Sequence, residues 1–156
     1  MYGDAYALHE GRSFLLSPQV SSPAAAKLIC WGTVDGAALE ARFEAEGMPD
    51  ALTALGFRSV ADLWPPWCAA IVDGEVASLA FSSRLTPLGA ELGLVTLLSH
   101  RGKGLAAAAT AGWSALPALE GRTLFYSTAR SNLASQRVAA KLGLPFICST
   151  WEIAQA

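Results

Sequence analysis

Charge is scarce in this chain. Asp, Glu, Lys and Arg make up 15% of its 156 residues, against about 25% in an average soluble domain. With 53% of residues apolar there is ample surface to bury, which excludes a disordered chain. Long apolar runs are lacking as well: no stretch reaches the roughly 18 uninterrupted apolar residues of a membrane span. The start, Met1 to Arg12, mixes acids, His and Gly where a signal peptide would be basic and then apolar. A cytoplasmic protein without a membrane partner is expected. Cysteine is equally thin. Cys30, Cys68 and Cys148 are widely spaced, form no C-x-x-C pair and have two histidines for company, so neither a disulfide framework nor a metal site is expected. Each reads as a small core residue.

What the chain has in quantity is alanine and leucine, 30 and 22 residues, a composition for closely packed helices around one core. The length fits one domain. Its net charge of −2 conceals a split. Residues 1–99 carry five basic and eleven acidic side chains, whereas residues 100–143 carry six basic ones and only Glu120. A positive segment inside an acidic protein suits a local anion site; a nucleic-acid partner would call for a basic face or domain, and none is expected.

From Cys68 onward the pattern is readable. Runs Cys68–Val72 and Val76–Ser83 flank Asp73-Gly74, a pair tolerant of positive φ and hence a hairpin signal. A third run covers Glu91–Leu98, completing an antiparallel meander. An alanine-rich helix spans Leu105 to about Leu116 before Pro117, a strand Arg122–Thr128, a helix about Asn132–Leu142, and a last strand Phe146–Ile153. Residues 1–66 suggest short strands at Ser13–Leu16 and Lys27–Trp31, a helix at Gly36–Glu46 and a helical turn at Ser59–Leu63. The order implies an α/β (α+β) fold, a mixed and mostly antiparallel sheet flanked by helices in a single domain.

The chemistry concentrates at Ser99-His100-Arg101-Gly102-Lys103-Gly104, between a buried strand and a helix. A helix start exposes unpaired N–H groups and a partial positive charge, and two glycines clear side chains from the approach of a phosphate. A P-loop is excluded because Lys103 is followed by Gly104, not Ser or Thr. A dinucleotide fingerprint is disfavoured because Tyr126-Ser127-Thr128 supplies no acid at the next strand end.

Arg101-x-x-Gly104-x-Ala106 resembles the acyl-CoA loop of the GNAT superfamily of N-acyltransferases, and Thr96 stands five residues before the Arg, as is common there. Asn132-x-x-Ser135, opening a helix that closes in Lys141-Leu142-Gly143-Leu144, is similar to the family's second motif. The resemblance covers Trp67 to Ile153; residues 1–66 carry no motif of the family and are expected to form the acceptor side of the same domain, with 67–156 as the acetyl-CoA-binding core.

The resemblance implies an N-acetyltransferase that passes an acetyl group from acetyl-CoA to a small-molecule, peptide or protein amine by direct attack, without a metal. It implies that Arg101, Gly102, Lys103, Gly104, Leu105, Ala106 and Ala107 hold the pyrophosphate, and that backbone groups of Val95, Thr96 and Leu97 meet the pantetheine arm and thioester. Asn132, with Ser135, would contact the arm or adjoining phosphate, and Arg137 with Lys141 the ribose phosphate. Glu91 is the candidate base, half-buried on a strand face with Gly93 and Val95; His100 is a second candidate. The family's usual acid, a Tyr seven residues after the Asn, is Ala139 here, leaving Tyr126, Ser127 or water. That gap keeps open a non-catalytic acyl-CoA-binding module. The acids of Asp35–Asp50 and the aromatics Trp64 and Trp67 are acceptor-side candidates, or equally a solvated helix face and core. The apolar fraction and the resemblance are compatible with a homodimer.

Overall fold

The computed structural model describes residues 6–18 and 20–155; the first five residues of the Met1–Arg12 start, Gln19 and Ala156 lie outside that description. The strands are β1 (Tyr6–Leu16), β2 (Lys27–Cys30), β3 (Cys68–Val72), β4 (Glu75–Leu85), β5 (Gly89–Thr96), β6 (Thr123–Ala129) and β7 (Phe146–Gln155). The helices are α1 (Val34–Glu46), α2 (Asp50–Thr53), α3 (Leu105–Ser114) and α4 (Leu133–Lys141). They build one seven-stranded sheet in the order β2-β3-β4-β5-β6-β1-β7. Every neighbouring pair is antiparallel except β5 and β6, which run parallel. This is the mixed, mostly antiparallel sheet expected from the sequence.

Both sheet faces are apolar, and each has its own cover. Ala90 and Leu92 of β5 with Leu124 and Tyr126 of β6 face Leu105, Ala109 and Trp113 of α3 and Ala139 of α4. On the other face Leu79, Phe81 and Val95 meet Leu39 and Phe43 of α1, Leu52 of α2 and Leu63. Alanines at 107–109 let α3 lie close to the sheet, and Trp113 Nε1 donates to the Pro66 carbonyl at 3.0 Å and the Ser82 hydroxyl at 3.2 Å. A buried indole N–H is thereby satisfied.

Several expectations shift. The first strand begins at Tyr6, not Ser13, because β1 is bonded along both edges by β6 and β7 although His9, Glu10 and Arg12 interrupt its apolar pattern. The third meander strand ends at Thr96; Leu97 onward turns into a single helical turn, Leu98–His100. Cysteine is the largest correction. Cys68 is buried, but Cys148 is exposed on β7, and Cys30 on β2 lies directly opposite Cys68 with the sulfurs 2.6 Å apart. Thirty-eight residues of separation concealed that pair.

Candidate functional site

The loop from β5 to α3 owes its path to two glycines. Gly102 and Gly104 take φ of 76° and 79°, where a side chain is strained. Gly104 is the N-cap of α3 and offers no side chain to accept from the first turn. The amides of Leu105, Ala106 and Ala107 thus begin the helix without a side-chain cap, at the positive end of its dipole.

Next to them opens a cavity of about 360 Å³ lined by Leu94 and Thr96 of β5, the loop, the first turn of α3, and α4 from Asn132 to Lys141. On its α4 side the helix is capped by Asn132, whose Oδ1 accepts from the Ser135 amide at 3.1 Å. The Ser135 hydroxyl lies 2.8 Å from that of Tyr126. Arg101, His100, Arg137 and Lys141 line the cavity and, among the described residues, no acid does. Bare amides, two positive-φ glycines and three fixed cations suit a ligand bearing several phosphates.

Most of the expected cofactor residues converge there: Thr96, Arg101, Gly102, Gly104, Leu105, Ala106, Ala107, Asn132, Ser135 and Arg137. Lys103 does not line the cavity; its exposed ammonium lies 3.5 Å from His100 Nδ1. Tyr126 does not line the cavity. Its ring is 2% exposed in the core, and burial raises the phenol above its ordinary pKa despite the bond to Ser135. The cavity-facing hydroxyl is therefore that of Ser135, held by Tyr126. Leu94, Ala134 and Val138 also line the cavity, and sequence reasoning missed them. Strand alternation from Thr96 and helix spacing from Ser135 carried that signal.

Strands β5 and β6 pair only from Gly89 with Thr123 to Leu92 with Tyr126, after which a gap opens. The phase of β5 decides which backbone groups enter it. Leu97 N donates to Ala77 O at 2.9 Å, so Leu97, Val95 and Gly93, alternating along that register, turn their amides to β4. Thr123 N donates to Leu88 O, so the even positions face β6. Leu94 and Thr96 therefore present N–H and C=O to the gap. Val95 and Leu97 were expected in that role and are corrected: their side chains pack on the opposite face, and the Val95 carbonyl also accepts from Ser78 Oγ at 2.9 Å.

On the other face of the sheet, over β6, β1 and β7, lies a larger cavity of about 790 Å³. Glu91, Phe125 and Ser127 line it, alternating with the residues that face α3 and α4. Glu91 is paired with Arg84 at 3.5 Å, its side chain 25% exposed. Ser127 and Ser13 hydroxyls meet at 3.0 Å. Three acids line it, Glu10, Glu91 and Glu152; Arg84 pairs with Glu91 and Arg130 with Glu10, which leaves Glu152 as the lining acid without an arginine partner among the described residues. The acids of α1 are elsewhere. Asp35 borders a separate cleft with Lys27 and Arg42, and Glu40 accepts from Trp67 Nε1 at 3.0 Å. Trp67 is fully buried, so it belongs to the core; Trp64 is half exposed, edge-on to Phe81.

No family model matches the chain, and no curated protein matches it in sequence. Solved structures do match. A putative acetyltransferase from the GNAT family of Novosphingobium aromaticivorans DSM 12444 is 20% identical with a TM-score of 0.58, over 96% of this chain and 66% of that one. A GCN5-related N-acetyltransferase-like protein of Streptococcus suis 89/1591 is 17% identical with a TM-score of 0.57, over 99% of this chain and 64% of that one. A GNAT-family acetyltransferase of Colwellia psychrerythraea is 19% identical with a TM-score of 0.54, over 96% and 55%. The chain thus spans between about half and two thirds of the length of these proteins.

Proposed function

The chain has the GNAT fold, and from that premise we propose that it is an acyl-CoA-dependent N-acyltransferase, with acetyl-CoA as donor and a cationic amine as acceptor. One observation carries the reading: a cavity lined by three fixed cations and no acid opens at the uncapped start of α3, beside the point where β5 and β6 stop pairing. Bound acyl-CoA supplies a thioester, whose carbonyl carbon the neutral amine attacks.

In this reading the amides of Leu105, Ala106 and Ala107 bind the diphosphate with Arg101, and Arg137 and Lys141 hold the further phosphate. The Leu94 and Thr96 backbone groups bind the pantetheine arm, and an N–H there polarises the thioester carbonyl as oxygen charge develops. Glu91 and Glu152 draw in the ammonium form of the acceptor. Glu91 then takes its proton, directly or through water. Ser135, with Tyr126 behind it, donates toward the departing sulfur.

A second reading, a non-catalytic acyl-CoA-binding module, draws on one observation. Ala139 is buried in the core, and no Tyr among the described residues lines either cavity. Thiol release from acetyl-CoA in the presence of a panel of amines, alongside calorimetric titration with CoA, tests both. Turnover with at least one cationic amine supports the enzyme. CoA binding without turnover on any amine supports the module, and absence of CoA binding removes both.

A further inference from the structure

We propose that Cys30 and Cys68 are a redox-active thiol pair that closes reversibly into a disulfide between β2 and β3. Three features of the fold bring this about. The first is register: Cys30 stands directly opposite Cys68 in an antiparallel ladder. The adjacent pair is hydrogen-bonded, Trp31 N donating to Trp67 O at 2.9 Å, so Cys30 and Cys68 form the alternate, non-hydrogen-bonded pair. Such pairs hold their Cα atoms about 4.5 Å apart, inside the roughly 4.4–6.8 Å range of disulfides. Side chains already face each other, with sulfur touching sulfur at 2.6 Å.

The second feature is asymmetry of access. Cys30 is partly exposed on β2, an edge strand, whereas Cys68 is completely buried. The contact with Cys68 lowers the Cys30 thiol below its ordinary range, against the opposing effect of burial, and Cys68 is raised by the same contact and by burial. Cys30 is therefore the sulfur that meets an oxidant, and Cys68 the one that keeps its proton and resolves. The third is the neighbourhood. A Cβ at Gly112 of α3 would stand 2.5 Å from the Cys68 sulfur and 2.8 Å from Leu28 Cδ1, so a glycine there leaves room for the pair.

The oxidant is a hydroperoxide. The Cys30 thiolate attacks a peroxide oxygen, the O–O bond breaks, and the departing oxygen leaves protonated, with Cys30 as a sulfenic acid. The Cys68 sulfur then attacks the Cys30 sulfur. The S–O bond breaks, and hydroxide leaves as water with the proton of Cys68. With hydrogen peroxide, two thiols lose two electrons and two protons and two waters form. The cross-link closes a loop containing α1 and α2 and ties the four-residue edge strand to the sheet. Neither sulfur lines either cavity of the acyltransfer site, so the proposal is independent of that reading.

The test uses the full chain treated with hydrogen peroxide, denatured, alkylated and digested with trypsin. A cross-linked pair of the peptides Leu28–Arg42 and Ser59–Arg84 is expected, with Cys148 still alkylatable and the link lost on treatment with dithiothreitol. Closing a loop of this size is expected to raise the melting midpoint by about 10 °C. Cys68→Ser, which keeps a donor beside the Cys30 sulfur, should leave Cys30 as a sulfenic acid open to a dione probe, and Cys148→Ser should change nothing. Both thiols staying alkylatable, Cys30 passing to sulfinic acid without the link, or linkage through Cys148 would each overturn the proposal.

Discussion

Leu92 and Tyr126 are the last residues of β5 and β6 to lie side by side; beyond them the two parallel strands part. That parting leaves Leu94 and Thr96 with backbone groups unused by β4. Strand alternation puts Glu91, one residue before Leu92, on the opposite face from the helix α3 cradle.

Gly104→Val is expected to weaken CoA binding at least tenfold. Its φ of 79° is strained for a β-branched residue, and a Cβ would stand 2.7 Å from Ala24 Cβ. Backbone strain of this kind costs on the order of 1–3 kcal/mol, so a lower melting midpoint accompanies the loss. Gly102→Ala carries the same backbone strain at φ 76° without a steric contact, since nothing lies within 4 Å of its Cβ, and so isolates the effect of the loop's backbone path. Calorimetric titration with CoA measures both variants, and unchanged affinity in each would remove the cradle.

Arg137→Ala and Lys141→Ala together are expected to weaken CoA binding about tenfold at low ionic strength, about 1.4 kcal/mol. The difference should shrink as salt screens these charges. Titrations at low and high salt give the answer. Equal affinities at low salt would show the two cations to be merely solvated.

Glu91→Gln is expected to lower kcat by about 10²–10⁴ if this carboxylate takes the amine proton, with CoA affinity unchanged. Steady-state thiol release and CoA titration of the same sample separate the two. Full activity in this variant would assign the proton to another group.

Asp62 stabilises the turn Val60–Leu63 through its carboxylate, and its pH dependence carries a definite sign. The Arg58 amide first, then the Ser59 hydroxyl and amide, hold its pKa below the ordinary 3.8. A lowered folded-state pKa means the stabilisation is present above 3.8 and is lost as pH falls through the lower, folded value. Asp62→Ala should therefore melt below the parent at pH 7, and the two curves should converge in acid. Thermal melts from neutral pH downward follow the difference.

Much of this molecule was legible one residue at a time. Asp73-Gly74 marked the hairpin, and Arg101, Gly102, Gly104 and Ala106 with Asn132 and Ser135 pointed to the cavity between α3 and α4. Such features depend on neighbours a few residues apart, so their spacing is written along the chain. Lys103 differs from its neighbours because adjacent loop residues point their side chains in different directions. Its side chain turns to His100 and the solvent.

Pattern and composition alone determined the two-faced mixed sheet, the glycine turn into α3 and the cationic segment around it. Tertiary structure decided the rest: that β1 lies between β6 and β7, that Leu94 and Thr96 rather than Val95 and Leu97 face the gap, and that Cys30 touches Cys68. The physical reason is strand register. Periodicity tells which residues share a face, but only the pairing of distant strands sets which amides remain free and which side chains stand opposite each other.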